Sequence, residues 1–230
     1  MNASKIISYI SSSLLAVVSS QAQGTFQNLD FEQANPISAG VYEEPYIVTA
    51  ASALPFWSVY YGSVQQTQIL YNEIAVGSTS VSLLSTSSVT YLPIDGTYSV
   101  LLQGGLTASA ASISQTGLIP AGTQSLLFEA ADVGFHAGSL EVLVGTQIIP
   151  FAAVGTGPNY TLYAANISAW AGQTEQLTFS ALEDLSVLNN WEIDDITFST
   201  TAVLPGPGAL ALMLMGGLGF GMRRWRAEGF

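Results

Sequence analysis

The middle of the chain alternates short apolar runs with polar turns. Between residues 24 and 202 no 3.6-residue period persists beyond two turns, and runs rich in Val, Ile, Leu, Phe and Tyr recur about every 8 to 15 residues over most of the region. Clusters of Gly, Pro, Asn and Ser separate these runs, which is typical of strands joined by turns. The predicted strands are residues 26–32, 56–61, 67–71, 97–103, 110–115, 125–129, 139–144, 147–151, 160–164, 175–180 and 191–199.

Two segments fit this pattern less well. Residues 42–53 and 76–88 have no clear alternation, and the abundant Ser and Thr of the second favour a loop or a solvated edge strand. Residues 144–147 lie between two apolar runs and predict a tight hairpin. No linker, repeat or charge run interrupts the region, so the sequence predicts one all-β domain, a β-sandwich, over residues 23–202.

The N-terminal residues 1–22 have the pattern of a secretory signal peptide. Lys5 supplies a positive charge, an apolar stretch runs from Ile6 to Val18, and Ser20-Gln21-Ala22 offers the small residues that signal peptidase recognises. This predicts export by the Sec translocon and cleavage before Gln23. The alternative is a buried N-terminal strand or helix.

The C-terminal residues 203–230 have the pattern of a membrane anchor. Twenty uncharged residues from Val203 to Met222 would form a helix about 30 Å long, which matches the hydrocarbon thickness of a bilayer. The tail that follows carries three arginines and a tryptophan, as the cytoplasmic flank of a membrane helix does. This tail is Arg223, Arg224, Trp225 and Arg226.

The order of these C-terminal parts resembles the PEP-CTERM sorting signal. Pro205-Gly206-Pro207 stands where that family has a Pro-x-Pro motif, although Gly206 replaces the usual Glu, and the apolar stretch and arginine tail follow. The resemblance implies processing by an exosortase, a membrane-embedded protease, and association with biofilm or exopolysaccharide. A plain single-span anchor is the alternative.

Charge is distributed unevenly along the chain. The net charge is −12, and residues 6–222 contain fifteen carboxylates and no Lys or Arg. Such a surface repels phosphates, so nucleic-acid binding is excluded. The absence of cysteine also excludes disulfides and thiolate chemistry.

The last predicted strand interrupts its own alternation at Asp194 and Asp195. In a regular strand Asp195 shares a face with Trp191 and Ile193, whereas Asp194 shares one with Ile196, so one aspartate is drawn toward the buried face. A buried carboxylate needs a partner, and in the absence of Lys and Arg the available partners are backbone amides, hydroxyls or a cation. Ca²⁺ suits such a site because it takes oxygen ligands. Carboxylates solvated at strand ends are the alternative.

Two segments at the ends of the domain resemble the galactose-binding-like jelly rolls, which include many carbohydrate-binding modules. They are the Asn-x-x-Phe-Glu that ends at Glu32 and the Ile-Asp-Asp-Ile that contains Asp194 and Asp195. In those folds the first and last strands are neighbours and often hold a structural calcium. The resemblance therefore implies a jelly roll with calcium ligands at Glu32 and at Asp194 or Asp195, with Asp30 a weaker candidate.

Aromatic side chains offer a candidate sugar-binding surface. Trp57 and Tyr60 lie in a stretch rich in Tyr, Gln and Asn, and Trp170 lies on a separate predicted turn. Aromatic faces with amides and hydroxyls nearby suit sugar rings. Alternation places Trp57 and Tyr60 on opposite faces, so the alternative, that most of these rings belong to the core, stays open.

Catalytic residues are not evident. His136 is the only histidine and no Gly-x-Ser-x-Gly motif accompanies it, so neither a catalytic triad nor a zinc site is predicted. A glycan-cleaving enzyme needs only two carboxylates and remains an alternative. The candidates for such a pair are Glu129, Asp132, Glu141, Glu183 and Asp184. The sequence thus predicts a non-enzymatic exported envelope or matrix protein, with a cell-surface carbohydrate-binding module as the alternative.

Overall fold

The protein is an all-β sandwich of two sheets. The structure, a computed structural model, describes residues 24–40, 46–106, 109–133, 138–183 and 189–203. The strands are β1 Ile47–Thr49, β2 Ser58–Tyr61, β3 Val64–Gln66, β4 Gln68–Tyr71, β5 Ser80–Ser85, β6 Tyr98–Gly104, β7 Ala111–Leu118, β8 Ser125–Asp132, β9 Leu140–Val144, β10 Gln147–Ile148, β11 Phe151–Thr156, β12 Thr161–Asn166, β13 Thr174–Ala181 and β14 Asn189–Ser199. One α-helical turn, α1 Ala50–Ala53, and one 3₁₀ turn, Ser168–Trp170, complete the described elements.

The eight-stranded sheet has the order β1-β4-β5-β6-β14-β8-β12-β11, and the six-stranded sheet has the order β10-β9-β13-β7-β2-β3. All pairs are antiparallel except β4 with β5. The long strand β14 therefore lies in the middle of the larger sheet, between β6 and β8.

The core lies between the two sheets. In the six-stranded sheet one register row consists of Val59, Ile113, Phe179 and Val142, and every one of these side chains is fully buried. The ring of Phe179 meets that of Phe128 from the larger sheet edge to face at 5.1 Å. Aromatic contacts of this kind bury large apolar areas and stabilise the packing of the sheets.

Most predicted strands are confirmed, two differ, and one segment outside the predicted strands contains a buried strand. Residues 26–32 form turns rather than a strand, with Asn28 and Phe31 at positive φ and a single bridge from Thr25 to Leu118. Residues 147–151 are divided, since β10 ends the hairpin in one sheet and Phe151 begins β11 in the other. Residues 76–88 contain β5, whose six residues are all buried, so the prediction of a loop or solvated edge was wrong.

The N-terminal segment nevertheless lies against the last strand. The backbone amide of Ile196 donates to the carbonyl of Leu29 at 2.9 Å, and the rings of Phe26 and Phe198 are 5.0 Å apart. The neighbourhood implied by the jelly-roll resemblance is thus present, although one partner is a turn instead of a strand.

The predicted signal peptide and the predicted anchor, with Pro205, Gly206, Pro207 and the three arginines, lie outside the described residues. Within the described ranges, neither helical turn has the length and hydropathy needed to cross a bilayer.

Candidate functional site

The outer face of the six-stranded sheet presents a row of polar side chains across five strands. Tyr60 of β2 is in register with Gln65 of β3 and with Ser112 of β7, Ser112 is in register with Ser180 of β13, and Ser180 with Glu141 of β9. The neighbouring residues of the same strands form the fully buried core row. Because side chains alternate between faces, the row from Gln65 to Glu141 points away from the core.

Further polar residues continue this face along the strands. Ser58, Ser114 and Thr178 form the adjacent row, and the Gln176 amide donates to the Ser114 hydroxyl at 3.3 Å. Tyr60, Ser112, Thr178 and Glu141 are half-exposed, and Gln176 is exposed. We call this surface, from Gln65 to Glu141 with its adjacent row, the hydroxyl face.

Of the predicted aromatic residues, only Tyr60 belongs to the hydroxyl face. Trp57 is 5% exposed, its indole nitrogen donates to the carbonyl of Asn28 at 2.9 Å, and its ring is 5.7 Å from that of Phe31. Trp57 is therefore a core residue and offers no open ring face to a ligand. Trp170 is half-buried in the 3₁₀ turn between β12 and β13 and packs against the core.

The outer face of the eight-stranded sheet is also polar along its central strands β6 and β14, and this part of the face is covered. Two segments lie across it. One is residues 72–79. The other is the connection between β5 and β6, residues 86–97, and we call this second segment the strap. The Ala75 amide donates to Gln103 Oε1 at 2.9 Å, and the Ile94 amide of the strap hydrogen-bonds to Glu192. The Tyr91 hydroxyl donates to the carbonyl of Val133 at 3.0 Å. Because of this cover, Glu192 is only 2% exposed.

A β-bulge decides the orientation of the predicted aspartates. Asp194 is in register with Glu129, the next pair is Thr197 with Leu127, and Asp195 between them has a φ of 43°. The extra residue resets the alternation, so Ile193 and Ile196 both face the core. Asp194 is buried on the covered outer face of the sheet, not between the sheets, and Asp195 is exposed.

Glu32 serves as a cap for the end of the strap. Its Oε1 accepts from the amides of Thr97 and Tyr98 at 2.6 and 2.9 Å. Gly96 has a φ of 56°, and a Cβ on it would lie 2.4 Å from the same oxygen. The close approach of Glu32 therefore requires glycine at position 96.

The predicted calcium ligands are only partly brought together. Within the described part of the chain, no three His, Asp or Glu side chains lie close enough to hold a metal ion, and Glu32 already accepts two amides. Asp194 differs, because its Oδ2 is buried without a hydrogen-bond partner. The calcium prediction at Glu32, Asp194 and Asp195 thus remains a prediction, and Asp194 is the member that best fits it.

Burial raises the pKa of several carboxyl groups on the covered face. The pKa of Glu192 is raised to about 7 by desolvation, although hydrogen bonds from Ser99 and Ile94 favour the charged form. Desolvation raises the pKa of Asp194 to about 9, against hydrogen bonds from two backbone amides and with added repulsion from Glu129. The pKa of Glu129 is raised by the same cause.

The candidates for an enzymatic carboxylate pair are scattered. Glu129 and Asp132 lie on β8, Glu141 lies on β9 and Glu183 follows β13. Asp184 and His136 lie outside the described residues. The register partner of Glu129 is Asp194, which was not among the enzymatic candidates.

Sequence reasoning missed the row of Ser112, Ser180 and Glu141. Their strands show alternation, but only the register aligns these residues with Tyr60. The pairing of Glu129 with Asp194 was missed for the same reason, since 65 positions separate the two residues in the sequence.

No family model matches the chain, and no curated protein is significantly similar to it. Among solved structures, the chain is similar to the enzymatically active domain of bacteriophage CBA120 tailspike protein 4 at 14% identity and a TM-score of 0.37, over 63% of this chain and 19% of that one. The carbohydrate-binding module TmCBM61, in complex with β-1,4-galactotriose, shows 15% identity and a TM-score of 0.38 over 77% of this chain and 99% of the module.

A third similar structure is the family 11 carbohydrate-binding module of Clostridium thermocellum in complex with a β-1,3-1,4-mixed-linked tetrasaccharide. It shows 11% identity and a TM-score of 0.38 over 69% of this chain and 97% of the module. The chain thus spans about a fifth of the tailspike domain and nearly all of both modules. At this level of similarity the comparisons assign no function to the chain.

Proposed function

We propose that the domain is a non-catalytic polysaccharide-binding module whose ligand lies on the hydroxyl face. The observation that carries the proposal is the register row of Gln65, Tyr60, Ser112, Ser180 and Glu141. It combines one aromatic ring with an amide, two hydroxyls and a carboxylate. These are the groups that stack on a sugar ring and exchange hydrogen bonds with its hydroxyls.

The dimensions of the row suit a polymer better than a single sugar. Neighbouring strands are about 4.8 Å apart, so five strands extend over about 19 Å. An extended glycan chain that crosses the strands would meet the accessible side chains of four of them, while the Ser180 hydroxyl on β13 is only 8% exposed. Tyr60, next to the edge strand β3, would provide the aromatic contact near one end.

Access also favours the hydroxyl face. Residues 72–79 and the strap close the outer face of the eight-stranded sheet over Gln103 and Glu192, whereas Tyr60, Ser112 and Glu141 of the hydroxyl face are half-exposed. The strong negative charge of the chain would repel anionic polymers. We therefore expect a neutral polysaccharide as the ligand.

The proposed cellular location of the protein is inferred from the sequences of its two ends. The signal-like residues 1–22 would direct export through the Sec translocon and signal peptidase. The Pro-x-Pro motif, the apolar stretch and the arginine tail would hold the chain in the membrane until an exosortase-type protease acts. The module would then bind exopolysaccharide at the cell surface or in the matrix.

The proposal is tested with a glycan array followed by calorimetry on the best neutral polysaccharide. We expect Tyr60→Ala to lower the affinity about tenfold, which corresponds to about 1.4 kcal/mol. Tyr46→Ala is the matched control, because Tyr46 is 45% exposed and adjoins β1 at the edge of the other sheet. Equal affinities for wild type, Tyr60→Ala and Tyr46→Ala, or no binding to any glycan, would contradict the proposal.

A further inference from the structure

We propose that a hard divalent cation, with Ca²⁺ the best fit, binds on the outer face of the eight-stranded sheet between the carboxylates of Glu129 and Asp194. This site shares Asp194 with the one implied by the jelly-roll resemblance, but its second carboxylate is Glu129 instead of Glu32. The site is also separate from the hydroxyl face, so a result that contradicts one proposal would leave the other unaffected.

The sheet register places the two carboxylates side by side. Glu129 on β8 and Asp194 on β14 are directly paired, and the Cβ atoms of such cross-strand partners are about 4.5–5.5 Å apart. Glu129 is 8% exposed and Asp194 is 2% exposed. Two acidic groups are thus held together in a covered site.

Each carboxylate has one oxygen without a partner. The Tyr160 hydroxyl hydrogen-bonds to the Glu129 carboxylate. The Asp195 amide donates to Asp194 Oδ1 at 2.8 Å, and the Asp95 amide also hydrogen-bonds to the Asp194 carboxylate. The remaining oxygens, Glu129 Oε2 and Asp194 Oδ2, are buried and make no hydrogen bond. Buried polar atoms without a partner are rare and costly, so a missing ligand is the simplest explanation for two in one place.

The chain has no Lys, Arg or His among its described residues that could neutralise this pair. Its only Lys and Arg residues are Lys5 and the three arginines of the tail, all outside the domain. Asp95 and Asp195 lie near enough to Glu129 to add repulsion. Compensation must therefore come from bound protons or from an external cation.

The ligand atoms favour calcium among the cations. All of them are carboxylate or hydroxyl oxygens, which are the donors that Ca²⁺ takes in a shell of six to eight. Glu129 and Asp194 would anchor the ion, and water would fill the remaining positions. Because Asp95 belongs to the strap, an ion here would also stabilise the closure of the strap over the sheet.

The test uses the full-length chain in detergent, freed of metal with chelator. Tb³⁺ luminescence, sensitised by nearby aromatic rings such as Tyr160, and its displacement by Ca²⁺ measure the affinity. We expect one saturable site and a rise in melting temperature with Ca²⁺. Glu129→Gln and Asp194→Asn should each weaken Ca²⁺ binding at least tenfold.

Two control variants locate the ion. Glu32→Gln removes the carboxylate of the alternative site, and Glu141→Gln removes a carboxylate from the hydroxyl face. Both should bind Ca²⁺ as the wild type does. If Glu32→Gln abolishes binding while Glu129→Gln retains it, the proposed site is wrong.

Folding of the variants is checked in chelator. Gln and Asn keep the side-chain shape and remove a buried charge, so Glu129→Gln and Asp194→Asn should melt at or above the wild-type temperature without metal. A wild type that melts at the same temperature in chelator and in Ca²⁺, with no Tb³⁺ signal, would show that the pair holds protons instead of an ion and would overturn the proposal.

Discussion

Glu192 shows how single residues of this chain tolerate burial without a cationic partner. It is 2% exposed, and its carboxylate accepts from the Ser99 hydroxyl and from the Ile94 amide. These hydrogen bonds only partly offset desolvation, so the pKa of Glu192 stays raised at about 7. The folded protein therefore retains a proton on Glu192 that the unfolded chain releases near pH 4.3.

The raised pKa of Glu192 predicts a stability that falls as pH rises. Below about pH 4.3 the group is neutral in both states, and its contribution to stability is intact. Between about pH 4.3 and 7 the unfolded chain binds fewer protons than the folded one, so the free energy of unfolding decreases. The loss attributable to Glu192 is about 4 kcal/mol, because each pKa unit corresponds to about 1.4 kcal/mol.

Glu192→Gln should flatten this dependence. Urea denaturation in chelator at pH 5 and pH 8 would show a smaller difference in unfolding free energy for Glu192→Gln than for wild type. Glu141→Gln, which changes a half-exposed carboxylate on the other sheet, is the control and should keep the wild-type difference. The same pH dependence in wild type and Glu192→Gln would argue against a raised pKa at this position.

Single residues also show where sequence reasoning stops. Alternation in 56–61 separates Trp57 from Tyr60, but it does not say which of the two faces the core. The structure buries Trp57 against Phe31 and leaves Tyr60 on the open face. The deciding partner, Phe31, lies in a segment whose turns, with Asn28 and Phe31 at positive φ, were not predicted.

Among the elements, β14 depends on its bulge. Two residues, Asp195 and Ile196, lie opposite Phe128. Because of the extra residue, the apolar side chains before and after Asp195, those of Ile193 and Ile196, both face the core. Without the extra residue, the segment after Asp194 would turn its core residues to the other face. The sequence shows the broken alternation of this strand, but a bulge and a regular strand with one inward aspartate fit it equally.

Substitution of Asp195 tests the bulge. Asp195 has a φ of 43°, which Gly adopts freely and a β-branched residue resists. We expect Asp195→Val to destabilise the fold by about 1–2 kcal/mol in chelator, and Asp195→Gly to be near neutral or stabilising. Denaturation curves in chelator measure both. If Val and Gly have the same effect, the backbone at this position is not left-handed.

The strand β5 shows a second limit of sequence patterns. Its Ser-rich sequence suggests solvent exposure, yet all six residues are buried, with Val81 and Leu83 in the core and the opposite face of the strand buried as well. Of the buried hydroxyls of β5, that of Ser80 donates to Gln103 Oε1 at 2.8 Å, whereas that of Ser82 has no hydrogen-bond partner. Alternation predicts strands with one solvated face, and it fails where both faces are covered.

For the whole molecule, the distribution of charge links the two ends to the domain between them. The domain has no Lys or Arg, so its buried carboxylates must find protons, hydrogen bonds or metal ions. The only Lys or Arg residues beyond Lys5 are three arginines after the apolar C-terminal stretch. In our proposal these arginines set the orientation of the anchor, since positive charge is retained on the cytoplasmic side.

The arginine tail therefore predicts how the chain is retained and processed in its native host. Substituting Arg223, Arg224 and Arg226 with Ser should shift the protein from the membrane and surface fractions or leave it unprocessed. The triple Lys variant keeps the charge and is the matched control, which should fractionate as the wild type does. Immunoblots of membrane, surface and medium fractions measure the outcome. If the Ser variant is distributed and processed like the wild type, the tail has no part in sorting, and another part of the chain must hold the protein at the envelope.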